Sequence, residues 1–135
     1  MERQFEEIEH TADIALRVWG SDLADLFANA ASGMGHLLSE APEGPLTVSK
    51  TIELAAVDVE TLLVDWLSEL LFLGEQSDVV FTRFDELRVS GNQLTATAGG
   101  GPTGERRSAI KAVTFADLEI RETDCGLETE IVFDV

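Results

Sequence analysis

Apolar and polar positions change period several times along the chain, and each change marks the start of a new element. Phe5 and Ile8 open a short extended segment. Ile14, Leu16 and Val18 then alternate with Ala15, Arg17 and Trp19, the period-two pattern of a half-buried strand, and Gly20-Ser21 ends it. From Leu23 the spacing lengthens. Leu26, Phe27, Ala30, Ala31, Met34, Leu37 and Leu38 fall on one side of a 3.6-residue helix. Ser21 or Asp22 can cap this helix, and Gly33 and Gly35 weaken it.

Ala41-Pro42-Glu43-Gly44-Pro45 interrupts both periods and reads as a loop. Val48, Lys50, Ile52 and Leu54 resume strand alternation. After a cap at Asp58, Val59, Leu62, Leu63, Trp66, Leu67, Leu70 and Leu73 form a strong helical stripe to about Gly74. Further strands are expected near Val79 to Val89, Gln93 to Ala98, Ile110 to Glu122 and Leu127 to Asp134. Gly91-Asn92 and Asp124-Cys125-Gly126 supply hairpin turns. The pattern predicts a single α+β domain over residues 1–135, a mixed β-sheet packed against two amphipathic helices.

Composition narrows the function. Apolar residues make up 44%, enough for a core, and no run approaches the roughly 20 apolar residues that span a bilayer. The first residues lack the basic flank and apolar stretch of a secretory signal, so a cytoplasmic location is expected and no membrane partner. Cys125 is the only cysteine, which excludes an intrachain disulfide and a cysteine-rich zinc site. The net charge of −17 repels phosphate, and Arg106-Arg107 is the one adjacent pair of cations. Any RNA is therefore reached through a partner protein. The same charge also suits solubility in a salty cytoplasm.

Several features read as structural. Gly99 to Gly104 lacks the Lys-Ser or Lys-Thr ending of a phosphate loop, and Glu105-Arg106-Arg107 follows it, so a flexible connection between two strands is expected. His36 lies on the helix side opposite Phe27 and Met34 and is expected to face solvent. Glu69, beside the Leu70-Leu71 stripe, is expected to cap a backbone group or pair with an arginine. The carboxylates carry more. Asp13 precedes a strand, Glu40 ends the first helix and Asp134 ends the last strand. If these termini converge, their oxygens suit a hard divalent cation, Ca²⁺ or Mg²⁺, over zinc. If they do not, they are three solvated acids.

In order along nearly the whole chain, His10-Thr11-Ala12-Asp13, Ser21 to Phe27, Glu60 to Leu73, Ile110-Lys111-Ala112-Val113-Thr114-Phe115 and Phe133-Asp134-Val135 resemble the archease family. The resemblance implies an accessory protein, not an enzyme, that activates an RtcB-type GTP-dependent RNA ligase in tRNA splicing or RNA repair. It implies promotion of ligase guanylylation and repeated turnover, with a bound divalent metal ion (Ca²⁺, Mg²⁺ or Mn²⁺). Family ligands carry over to Asp13 and Asp134. At the end of the first helix the family commonly has Thr-Asp where this chain has Ser39-Glu40, so Glu40 stands in with one more methylene. The glycine-rich connection before Lys111 also looks shorter than in many relatives.

Lys111, one of only two lysines, would pair with a phosphate or with an acid at the metal site; otherwise it is a strand-edge lysine that opposes aggregation. His10 fits a positioning role, since no nucleophile accompanies it. Two other functions fit the same residues: a small metal-dependent phosphohydrolase, and a general chaperone or modulator of nucleic-acid-modifying proteins.

Overall fold

The computed structural model describes residues 4–9, 13–39, 45–102, 109–115 and 118–135. Ten elements follow in the order β1 (Phe5–Glu9), β2 (Asp13–Gly20), α1 (Leu23–Leu38), β3 (Val48–Ala55), α2 (Val59–Ser77), β4 (Val80–Ser90) and β5 (Gln93–Gly101), then β6 (Ala112–Val113), β7 (Arg121–Thr123) and β8 (Gly126–Asp134). The expected α+β class with two helices is present, and the strands divide between two sheets. One runs β1-β2-β8-β6 with β7 also paired to β8, and the other runs β3-β5-β4. Each pairing is antiparallel.

The first sheet joins the two ends of the chain. β2 and β8 pair without interruption from Asp13 opposite Asp134 to Gly20 opposite Leu127. Because side chains alternate faces, this register stacks Ile14 with Phe133 and Leu16 with Ile131 on the core side. Asp13 and Asp134 are thereby placed together on the other side.

Helix α1 packs against β2 of the first sheet and β4 of the second. Asp22 caps it, accepting from the Asp25 backbone N–H at 2.8 Å, and Asp25 accepts in return from the Ser21 N–H at 2.9 Å. Gly33, expected to weaken the helix, has a packing reason: a Cβ there would run into the Leu16 side chain and sit 3.0 Å from the Phe5 ring. His36 does not simply face solvent. It is half-buried, its ring centroid 5.6 Å from that of Phe5.

Helix α2 is capped by Asp58, which accepts from the Thr61 N–H at 2.8 Å. It runs past the expected end at Gly74 to Ser77 and stops at Asp78, whose left-handed backbone (φ 54°, ψ 47°) ends it. Trp66, Leu62, Leu63 and Leu67 of α2 are fully buried with Phe27 and Leu26 of α1 and Leu16 and Phe133 of the first sheet. No helix among the described residues is long and apolar enough to cross a membrane.

Two expectations are corrected. Ile110 to Glu122 is not one strand: among the described residues only Ala112–Val113 and Arg121–Thr123 pair with β8 as strands. Thr114 still donates its N–H to the Val132 carbonyl at 2.9 Å, and nearer β7 side chains hold the backbone. Thr129 Oγ1 donates to the Glu119 carbonyl at 2.8 Å, and Glu60 Oε2 accepts the Ile120 N–H at 3.2 Å. Gly99-Gly100-Gly101 is the end of β5 and not a flexible connection. A Cβ at Gly100 would lie 3.0 Å from the Phe81 ring, and one at Gly101 would lie 2.8 Å from the Pro45 carbonyl oxygen. Residues 103–108 lie outside the described residues, Glu105-Arg106-Arg107 among them.

The helix caps give two measurable expectations. Asp22→Ala should lower the unfolding free energy by about 1 kcal/mol in urea titration, by removing the acceptor for an orphan N–H of the first turn. For Asp58, hydrogen bonds from the Thr61 side chain and backbone hold the carboxyl below its ordinary value. A depressed folded-state pKa contributes stability above the unfolded value, and that contribution is lost as pH falls through the folded one. Asp58→Asn should therefore flatten the decline of stability below about pH 4 while preserving the cap. An acid limb of unchanged slope would show that Asp58 does not contribute to it.

Candidate metal centre

Asp13 is the first residue of β2 and Asp134 the last of β8, so the site is made by the end of an antiparallel ladder. Their Cα atoms are direct partners in the register. Side chains so opposed project from one face with Cβ atoms about 5 Å apart, close enough for two carboxylates to share one cation.

Lys111 is tied to the same corner through its backbone. Its N–H donates to the Asp134 carbonyl oxygen at 2.7 Å, and Ala112 is the Cα partner of Asp134. Asp134 and Lys111 are exposed and Asp13 partly so. Among the described residues neither carboxylate makes an ion pair, with Lys111 or any other cation. Directly opposed like charges destabilise a sheet, and a bound cation offsets that repulsion. The donor set therefore fits a hard divalent ion. The structure brings together Asp13, Asp134 and Lys111 of the expected site.

His10 and Glu40 lie outside the described residues. The residue before Glu40 does not: Ser39 is buried at 2% and closes α1 by donating its N–H to the Gly35 carbonyl at 3.1 Å. Leu38 lines a cavity of about 90 Å³ with Ala109 and Ile110, and Ile110 directly precedes Lys111. The end of α1 and the Lys111–Asp134 corner are thus neighbours. Among the described residues no three His, Cys, Asp or Glu side chains form a metal-holding group, so the described site consists of two carboxylates.

No reactive thiol serves this corner. Cys125 is exposed in the β7–β8 turn, at the opposite end of β8 from Asp134, about 30 Å along the strand. Sequence reasoning missed Glu60 and Thr129, whose side chains hold the backbone that leads from β6 to β7. One signal for Thr129 was present: it is a polar residue at an inward position between Leu127 and Ile131.

Comparison with known proteins decides the family. The model of the Archease protein family matches residues 5–135. The chain belongs to the archease family. It is 35% identical over 143 residues to protein archease of Methanosarcina barkeri, covering 98% of this chain and 97% of that one. It is 33% identical to protein archease of Methanothermobacter thermautotrophicus, over 97% and 98% of the two chains. The solution structure of Methanobacterium thermoautotrophicum protein 1598 superposes with a TM-score of 0.85 at 31% identity, covering 99% of this archease and all of that protein. The crystal structure of a Thermotoga maritima archease, called a possible chaperone, has a TM-score of 0.68 at 24% identity over 96% of each chain and shares the fold.

Proposed function

We propose that this archease is an accessory protein that activates an RtcB-type, GTP-dependent RNA ligase, promoting its guanylylation and multiple turnover through a divalent cation. The observation that carries the reading is the Asp13–Asp134 register pair, which puts two carboxylates on one face without a counter-cation among the described residues. Glu40, which follows the buried end of α1, is the third proposed ligand. His10, three residues before Asp13 in the sequence, is the proposed positioning residue of the site.

A bound divalent cation supplies charge neutralisation for a nucleoside triphosphate. Asp13 and Asp134 hold it at a strand end, exposed enough to meet a partner. Lys111 keeps Asp134 in place through the backbone bond, and its ammonium is available to a phosphate. The net charge of −17 favours encounter with a basic ligase and disfavours direct contact with RNA, so RNA is reached only through the ligase.

The test is multiple-turnover ligation by the cognate ligase with and without the protein. Wild type should raise the number of turnovers, and Asp13→Ala combined with Asp134→Ala should remove at least about 90% of that gain. Calorimetric titration with Ca²⁺, Mg²⁺ and Mn²⁺ should show binding by wild type and none by the double variant. Full stimulation by the double variant would falsify the metal role, and no stimulation by wild type would overturn the ligase role.

A further inference from the structure

The outer face of α2 combines an exposed ring with negative charge that nothing on the helix balances. Asp65, Glu69, Phe72 and Gln76 follow at i, i+4, i+7 and i+11, which sets them along one line of the helix surface. Glu75 stands one turn beyond Phe72, at i+3 from it, so Glu69 and Glu75 flank the ring from either side along the chain. Phe72 is 54% exposed, the largest side chain of α2 left open to solvent. Glu75 lies in the last turn, and no basic residue accompanies it there or anywhere in α2. A carboxylate at a helix C-terminus opposes the macrodipole. Glu69, expected from sequence to cap a backbone group or pair with an arginine, makes no ion pair among the described residues, and neither does Asp65 or Glu75.

An exposed ring flanked by unpaired carboxylates near the negative end of a helix is a receptor for a cation with a flat, weakly hydrated head. Arginine fits this better than lysine: its guanidinium stacks on an aromatic face and its fork meets carboxylates two at a time. The surroundings add an apolar component. Glu75 also lines the cavity of about 90 Å³ whose walls include Leu38, Leu71, Gly74, Phe81 and Ile110. Ile110 leads directly into Lys111, whose backbone is bonded to Asp134. The recess beside Glu75 is thus walled in part by the residue that precedes Lys111.

We infer that the α2 face centred on Phe72 is a protein-docking surface for an arginine-bearing segment, whose guanidinium stacks on Phe72 between Glu69 and Glu75 while a neighbouring aliphatic side chain enters the recess beside Glu75. The identity of the partner, the RNA ligase, is taken from the proposed function. The surface itself rests on α2 and the walls of the adjoining recess.

The experiment measures binding of the full chain to the cognate ligase at two salt concentrations, using wild type, Phe72→Ala and the pair Glu69→Gln with Glu75→Gln. In parallel, amide chemical shifts are followed on adding an amphipathic arginine–leucine peptide and its lysine–leucine counterpart. Phe72→Ala should weaken ligase binding by about tenfold or more with an unchanged melting temperature, and the glutamine pair should weaken it and reduce its salt dependence. The arginine peptide should shift amides around Phe72 and Glu75 more than the lysine peptide does. Wild-type affinity in Phe72→Ala would overturn the docking surface and leave the ligase reading intact. If wild type does not bind the ligase, the ligase reading fails, and the docking surface then stands if the arginine peptide shifts these amides and falls if it does not.

Discussion

Replacing Trp66 with alanine should lower the unfolding free energy by about 4 kcal/mol, the largest loss expected from any single truncation in this core. Trp66 is fully buried. Its indole N–H donates to the Phe27 carbonyl oxygen at 3.0 Å, which ties α2 to α1. Its ring meets Phe84 of β4 edge-on, with centroids 5.7 Å apart and planes at 69°. One side chain thus joins both helices and the second sheet. The alanine variant loses its apolar area, opens a cavity and removes the donor. Trp66→Phe separates these effects, because it keeps most of the area and loses the hydrogen bond, for an expected cost of about 1–2 kcal/mol. Both are read from urea midpoints followed by far-ultraviolet circular dichroism. A loss below about 1 kcal/mol in the alanine variant would mean that Trp66 does not couple these elements.

What the sequence makes legible follows from how far apart the interacting residues stand in the chain. β2, α1 and α2 are stated by local period, and Asp22 and Asp58 announce their helices because a cap acts within three residues. Between Ile110 and Glu122 the period misleads, because apolar alternation persists where pairing does not. There the backbone at Glu119 and Ile120 is satisfied by Thr129 and by Glu60, the latter sixty positions from Ile120, and no periodicity reports such a bond. Gly99 to Gly101 misleads for the opposite reason: glycine suggests a turn, and here it admits Phe81 and Pro45 against a strand.

The carboxylate pair is legible only in part. Position at the termini of elements makes Asp13, Glu40 and Asp134 candidates, and family resemblance selects Asp13 and Asp134. Neither contains the fact that makes them a site, which is the register of β2 on β8. That register depends on Ile14, Leu16 and Val18 facing the same core as Ile131 and Phe133. A slip by one residue would send Asp134 to the opposite face from Asp13. The proposed docking face of α2 is likewise legible only in part. Phe72 falls off the apolar stripe of α2 but sits within an apolar stretch of sequence, and its 54% exposure shows that no other described element covers it.

The β7–β8 hairpin bears directly on that register, and Gly126→Ala should cost about 4 kcal/mol. Gly126 has φ of +134°, a conformation that an L side chain rarely adopts. A Cβ there would also run into the Gly20 carbonyl oxygen and lie 3.1 Å from the Ser21 Cα. Both obstacles are backbone, which cannot rotate away as a side chain can. Gly91, in the β4–β5 hairpin, is the reference for a positive φ with open space around it. Its φ is +60°, and nothing lies within 4 Å of a Cβ built on it, so Gly91→Ala should cost only about 1 kcal/mol. The difference, about 3 kcal/mol, combines the greater strain of a φ of +134° with the close approach of the hairpin to the end of β2, and urea midpoints of the two variants read it directly. Equal losses would mean that neither the more extreme φ of Gly126 nor its close approach to Gly20 adds a cost. A larger loss at Gly126 is the result expected if the far end of β8 is fixed in this strained conformation against Gly20, at the other end of β2 from Asp13.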